Sequence, residues 1–358
     1  MIKKYSFIVG MVGFLGLTTI LEACKGPETK DPRINNVLPD VQIMSPSNKT
    51  QYVVGEIIEV DIKVNRKDDI SDLKLIYDNQ VYQQNLILED QIIRVKTEDS
   101  RVGNLQFYIS YIDKDGIVHQ DVRTVSMFSD IEPKQKKVKV IAKHTHNPSS
   151  YTQGLEFYKG NLYESTGQYG SSLIAEVDLN TGFMKRKVDL DDTYFGEGMT
   201  IMNDTIYQIT YKSQICKVYD LSFNLIKEFS YTGEGWGLTN NGHQLIMTNG
   251  SDEIVWRNKN TFAVEKSIQI FDDRSSLTQL NEIELIEGSL YANIYTDNRL
   301  VEIDTLSGKI LSYVDCSSLV LEQPAGVDYF NGIAFNQLSN KIYVTGKLWP
   351  TLYEVTFE

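Results

Sequence analysis

Two glutamates in this chain stand between glycines. Glu197 lies in "DTYFGEGMT" (192–200), just after Phe195, and Glu234 lies in "YTGEGWGLT" (231–239), just before Trp236. A carboxylate held against aromatic rings has its charged form disfavoured by desolvation, which lifts its pKa toward the range useful for proton transfer. Flanking glycines permit close backbone approach and dihedrals that other residues avoid. The chemistry these strings suggest is that of an acid/base carboxyl. Metal chemistry has no comparable signal. The four histidines, His119, His144, His146 and His243, show no HExxH-type spacing, and there is no CxxC. Cys216 and Cys316 read as core thiols.

The elements that would position such a carboxyl are repeats. A strand with an apolar marker followed by Tyr or a similar residue recurs in "GNLYEST", "DTIYQIT", "HQLIMTN", "GSLYANI" and "NKIYVTG". The markers Leu162, Ile206, Leu245, Leu290 and Ile342 are 44, 39, 45 and 52 residues apart. After the first four comes a further strand that ends in "DLNTG", "DLSF", "NKNT" or "DTLSG", turn chemistry leading outward. Repeats of this length with four strands each are the signature of a β-propeller, here with five blades over 136–358. The fifth repeat stops after "TLYEVTFE", one strand short, and "KKVKVIAKH" (136–144) is an orphan strand that would complete it and close the ring.

The register assigns the glutamates different places. Nine residues before the first four markers stand Gln153, Glu197, Trp236 and Asn281, and Asn331 stands eleven before Ile342, beyond a longer hairpin. These are the starts of the innermost strands, which all open at one end of the central channel. Gly154, Gly198, Gly237 and Gly332 follow four of them. Glu197 thus points into a convergence of side chains. Glu234, two residues out of register, reads as a turn-holding or solvated acid. Singly, such polar residues often only cap strands; five at matched register make a candidate site.

The rest of the chain is organised differently. "MIKKYSFIVGMVGFLGLTTILEAC" has two lysines, a short apolar run, and Leu21, Glu22 and Ala23 before Cys24, which reads as a secretory leader over 1–23. Its end resembles a bacterial lipobox. The expectation is an exported protein, lipid-modified at Cys24 and anchored to a bacterial membrane, the outer one. Residues 24–40 are polar and proline-bearing, a tether. Residues 41–130 carry short alternating strands with turns such as "DKDG", the pattern of a small immunoglobulin-like β-sandwich with no catalytic grouping. The fold class is therefore all-β, a five-bladed propeller preceded by this sandwich. The formal net charge of −13 argues against nucleic acid as a partner.

The strings "YTQGLEF", "LYESTGQYGSSL", "YFGEGMT", "GEGWGLT", "LNEIE", "NGIAF" and "TGKLWPTLYEV" resemble, in order, the plant-type glutaminyl-peptide cyclotransferases, over about 144–358. The resemblance implies a five-bladed propeller that turns an N-terminal glutamine into pyroglutamate and releases ammonia, with no metal or cofactor. Its partners would be peptides or proteins with N-terminal glutamine. Glu197 matches the family's catalytic acid and Lys347, in "TGKLWP", its essential lysine. Gln153, Asn281 and Trp236 match pocket residues, with Tyr151 and Phe195 as aromatic walls. The family's "ANVW" is "ANIY" here, so Tyr295 offers a smaller ring with a hydroxyl. In that chemistry Glu197 moves a proton from the attacking amine to the departing ammonia, and Lys347, helped by Gln153 or Asn281, steadies the oxyanion. Two other readings compete: a metal-dependent, lactonase-like propeller hydrolase, which Lys347 on the axis would oppose, and a non-catalytic binding module.

Overall fold

The computed structural model describes residues 39–358. The leader, Cys24 and the tether up to residue 38 lie outside the described residues. The fold is all-β. In Ile58–Val64 the residues Ile58, Val60 and Ile62 are buried while Glu59 and Lys63 face out, the period of two expected of a sheet with one wet face. This strand, with Val41–Ser45 and Gln91–Val95, makes a three-stranded sheet. A five-stranded sheet runs Gln51–Val53, Val118–Phe128, Gly103–Asp113, Ile70–Tyr77, Gln80–Gln83. Their apolar faces share one core, which also takes in Phe271 from much later in the chain.

The strand expected over 136–144 is longer than the sequence suggests. Lys134–Thr145 is one continuous strand, and its first residues pair parallel with Ser312–Asp315. Every second side chain of this strand is exposed, among them Lys137, Lys139 and Lys143. The N-terminal sheets are fastened to turns of the later strands. The Val102 N–H donates to the Ser307 carbonyl at 2.9 Å, the Asn104 N–H donates to Gln269 Oε1 at 2.7 Å, and Lys309 pairs with Asp130 at 2.7 Å.

From Thr152 onward come three four-stranded antiparallel sheets, each taken in chain order. Their innermost strands are Thr152–Tyr158, Gly196–Met202 and Leu238–Asn240. The remaining strands form one eight-stranded sheet. Its first half runs Leu280–Ile286, Ser289–Ile294, Arg299–Asp304, Ile310–Asp315. Its second half runs Phe330–Asn336, Lys341–Gly346, Thr351–Phe357, and ends on Lys134–Thr145, which pairs with Thr351–Phe357 and joins the halves. The orphan strand thus sits beside the last strand of the chain.

Burial falls steeply across the three four-stranded sheets. Every residue of Gly196–Met202 is buried, whereas Leu225–Ser230, the outermost strand of the same sheet, is almost wholly exposed. Turns into the outermost strands are built alike. Asp178, Asp220, Asn258 and Asp304 each accept from two backbone N–H groups just ahead of them, the local bonding that makes Asx residues turn formers. Buried carboxyls bridge the innermost strands of different sheets. Glu282 accepts from the Leu155 and Ile333 N–H groups, Glu284 from the Phe335 N–H and the Thr239 hydroxyl, and Glu156 from the Ile201 N–H. Burial raises the pKa of all three.

One buried cluster ties the first repeat to the last. Glu164 accepts from the Ser150 and Thr152 hydroxyls and from His146 Nε2 at 3.1 Å, while His146 Nδ1 lies 2.7 Å from the Trp349 carbonyl. A carboxylate and a carbonyl only accept, so both ring nitrogens donate and the ring is an imidazolium. Burial opposes that charge, but Glu164 and the Trp349 carbonyl outweigh it and raise the His146 pKa. We expect His146→Leu to cost about 3–5 kcal/mol in urea unfolding, because it strands a buried carboxylate. The wild-type advantage over this variant should be full below about pH 6.5, the unfolded histidine value, and shrink as pH rises through the raised folded value.

Candidate active site

The residues at the starts of the innermost strands sit on β-bulges. Register shifts fall between Thr152 and Gly154, Gly196 and Met199, Leu280 and Ile283, and Phe330 and Ile333. These intervals contain Gln153, Glu197, Asn281 and Asn331. A bulge takes a residue out of the pairing ladder and re-aims its side chain. In the third sheet Trp236 comes just before a short strand, and the Gly237 N–H donates to Thr248 Oγ1.

The sheets crowd together where these residues lie. A Cβ on Gly198 would run into the backbone of Gly237 and Leu238, and one on Gly237 would run into the Asn281 carbonyl. The glycine after Glu197 and the glycine after Trp236 are therefore required by close approach. The Glu197 backbone is held on both sides: its carbonyl accepts from the Ser165 hydroxyl, and the Gly198 N–H donates to the Trp236 carbonyl at 2.8 Å.

The bulges open on a cavity of about 130 Å³. Gln153, Glu197, Asn281 and Lys347 supply its polar groups, and Tyr151, Phe195, Tyr211, Trp236 and Tyr295 its aromatic walls. All the expected site residues among these converge. Asn331 does not line the cavity. It is 1% exposed and donates from Nδ2 to the Thr152 carbonyl and to Gln153 Oε1 at 3.1 Å. That contact makes the Gln153 carbonyl the acceptor, which leaves its NH₂ as a donor for the cavity. A larger cavity of about 500 Å³ opens where the innermost strands end, but its carboxyls Glu156 and Glu284 are engaged by backbone and hydroxyl donors.

Two acceptors in the site are buried without a partner, Glu197 Oε2 and Asn281 Oδ1. Desolvation holds the Glu197 carboxyl well above the usual carboxylate range; the Lys347 charge opposes this and the Glu234 charge adds to it. Burial lowers the Lys347 pKa, against the pull of Glu197 and Asp328. Lys347 makes no ion pair among the described residues. Its ammonium lies 4.9 Å from the Tyr151 ring centroid and 5.1 Å from that of Tyr295, a cation–π sandwich. Tyr151 is fixed in turn by its hydroxyl, which donates to Asp328 Oδ2 at 2.9 Å.

Tyr211 is missed by the register of strand starts, yet a second register contains it. Five residues past the markers Ile206, Leu290 and Ile342 stand Tyr211, Tyr295 and Lys347, each just beyond a second strand. Their N–H groups donate to the carbonyls of Phe195, Gln279 and Tyr329. Those carbonyls belong to residues two places before the bulges at Glu197, Asn281 and Asn331. Glu234 holds the same place before Trp236.

The family model for glutamine cyclotransferase matches residues 114–357. Among characterised proteins, the glutaminyl-peptide cyclotransferase of Arabidopsis thaliana is 33% identical over 235 residues, which covers 63% of this chain and 73% of that protein. The crystal structure of Myxococcus xanthus glutaminyl cyclase superposes with a TM-score of 0.60 at 27% identity, covering 63% of this chain and 99% of that one. The chain belongs to the glutamine cyclotransferase family, a family of glutaminyl-peptide cyclotransferases.

The electrostatics make a direct prediction. Lys347→Met removes the charge that holds the Glu197 pKa down, so the Glu197 carboxyl should stay protonated to higher pH. Infrared difference spectra against Glu197→Gln would follow its C=O stretch. A midpoint that rises in Lys347→Met is expected; an unchanged midpoint would show that the two groups do not interact.

Proposed function

We propose that this protein cyclises N-terminal glutamine of peptides or proteins to pyroglutamate without a metal ion, on a five-bladed propeller formed by the sheets from Thr152 onward and closed by Lys134–Thr145. The N-terminal sheets are then an immunoglobulin-like module fastened to its flank. The observation that carries the reading is Glu197: a desolvated carboxyl with an unpartnered oxygen, in a cavity shared with the Lys347 ammonium.

The donors and acceptors match a glutamine folded back on its own amine. The Lys347 ammonium and the Gln153 NH₂ are donors for the side-chain carbonyl oxygen. Asn281 Oδ1 and Glu197 Oε2 are acceptors for the N–H groups of the side-chain amide and the α-amine. The α-nitrogen attacks the side-chain carbonyl carbon and a C–N bond forms. Glu197 takes the proton that the attacking nitrogen sheds and passes it to the amide nitrogen, the old C–N bond breaks, and ammonia leaves. Charge on the oxygen in between is held by Lys347 and Gln153.

A free α-amine has a pKa of about 7.7–8.0. An ammonium beside a carboxylate and an amine beside a carboxylic acid are one protonation state, so a raised Glu197 pKa lets the bound substrate shed its proton to the enzyme. Nucleophile and electrophile are in one molecule, and holding them in line can supply about 7–11 kcal/mol of the barrier. The aromatic walls exclude water that would hydrolyse the amide instead. Among the described residues no three His, Cys, Asp or Glu side chains gather as a metal site requires.

Ammonia release, with the matching mass loss, from a glutamine-initiated peptide tests the proposal. Wild type should turn over equally with and without chelator. Glu197→Gln should lose about 10²–10⁴-fold in kcat, and Lys347→Ala about 10²–10³-fold. Folded wild type with no turnover would refute the proposal, and loss of activity to chelator would refute its metal independence.

A further inference from the structure

The two glycine-flanked glutamates are out of register, and that offset places the second one against a wall of the cavity, the Trp236 indole. Glu234 stands two residues before Trp236, as Phe195 stands before Glu197 and Tyr151 before Gln153. The position that carries an aromatic wall in those sheets carries an acid here. Its Oε2 accepts from the Trp236 indole Nε1–H at 3.1 Å. Its Oε1 lies 3.6 Å from Lys212 Nζ, and that ammonium lies 4.7 Å from the centroid of the Tyr211 ring. The backbone adds a third tie, from the Gly235 N–H to the Tyr211 carbonyl at 3.1 Å.

We propose that Glu234 is a positioning residue for the reaction, whose carboxylate locks the indole of Trp236 and, through Lys212, the ring of Tyr211, so that two adjoining walls from two different sheets are held by one acid. The inference rests on the cyclotransferase reading of this cavity. The indole bond is the stronger link. The Glu234 side chain is 38% exposed, and an ion pair at that exposure contributes little by itself. Trp236 needs the anchor because its ring is clamped nowhere else by a hydrogen bond: it packs edge-on to Tyr295, with centroids 5.6 Å apart, and over Gly250, where a Cβ would overlap the indole.

The acid also acts on the reacting group. Its charge disfavours ionisation of Glu197, opposing Lys347. The other titratable groups within electrostatic reach of Glu197 are the phenols of Tyr151, Tyr231 and Tyr295. Holding a wall and keeping the carboxyl protonated are separable functions, because glutamine can replace the acceptor but not the charge.

Glu234→Gln and Glu234→Ala, assayed on a glutamine-initiated peptide, separate them. Glu234→Gln keeps an acceptor for the indole, so KM should stay within about twofold of wild type, while the Glu197 limb of the kcat/KM profile moves to lower pH. Glu234→Ala loses both, so the limb should move likewise and KM should rise about tenfold, the scale of one hydrogen bond, with kcat little changed. An unchanged KM in Glu234→Ala, or equal KM increases in both variants, would overturn the positioning function. If wild type does not turn the peptide over, the cyclotransferase reading fails, and the indole still decides the anchor. The Trp236 Nε1–H resonance, assigned with Trp236→Phe, should be protected from solvent exchange in wild type and Glu234→Gln and lose protection in Glu234→Ala. Equal exchange in all three would refute it.

Discussion

Close approach of the innermost strands is the constraint on which the rest of the structure depends. Sheets that converge on one region leave no room for side chains at the contact, so glycine stands where the Gly198 and Gly237 backbones meet their neighbours. Most of these innermost strands also leave the regular ladder at their start. Four of them bulge at their first residues, and each bulge frees a polar side chain that would otherwise point into the sheet. Three of those side chains, Gln153, Glu197 and Asn281, are buried and line one cavity.

Desolvation then gives the site its chemistry. A carboxyl and an ammonium share one small cavity without forming an ion pair, and each is shifted toward its neutral form by burial. An intimate pair would lower the reactivity of both. Here the ammonium is held by the Tyr151 and Tyr295 rings instead, and the carboxyl keeps one oxygen without a partner. The surrounding bonds serve this separation: Asp328 steadies Tyr151, Asn331 steadies Gln153, and the Ser165 hydroxyl steadies the Glu197 backbone.

Much of this was legible in the sequence, and the remainder was hidden for identifiable physical causes. Strand positions could be read because second strands carry a regular apolar pair and their successors end in Asx turns. Glu197 and Gln153 could be placed because equal spacing from a marker means equal depth in a sheet. The bulges themselves leave no mark in a single sequence, so Asn331 reads as a cavity residue although its amide is spent inward on Thr152 and Gln153. Tyr211 hides because it lies after the second strand rather than before the first. Glu234 looks like a solvated turn acid because its partner, the Trp236 indole, is near only once the loop has folded back. The fastening of the N-terminal sheets depends on Val102, Asn104, Gln269 and Phe271, which share no pattern along the chain.

We propose that burial makes Glu197 a proton carrier at ordinary pH. The pH dependence of kcat/KM on a glutamine-initiated peptide tests it most directly. A carrier of this kind predicts a bell with two limbs: one at the substrate amine, about 7.7–8.0, and one borne by the enzyme, well above the usual glutamate value of about 4.3. An enzyme-borne limb at the ordinary carboxylate value, or a profile set by the amine alone, would contradict the account.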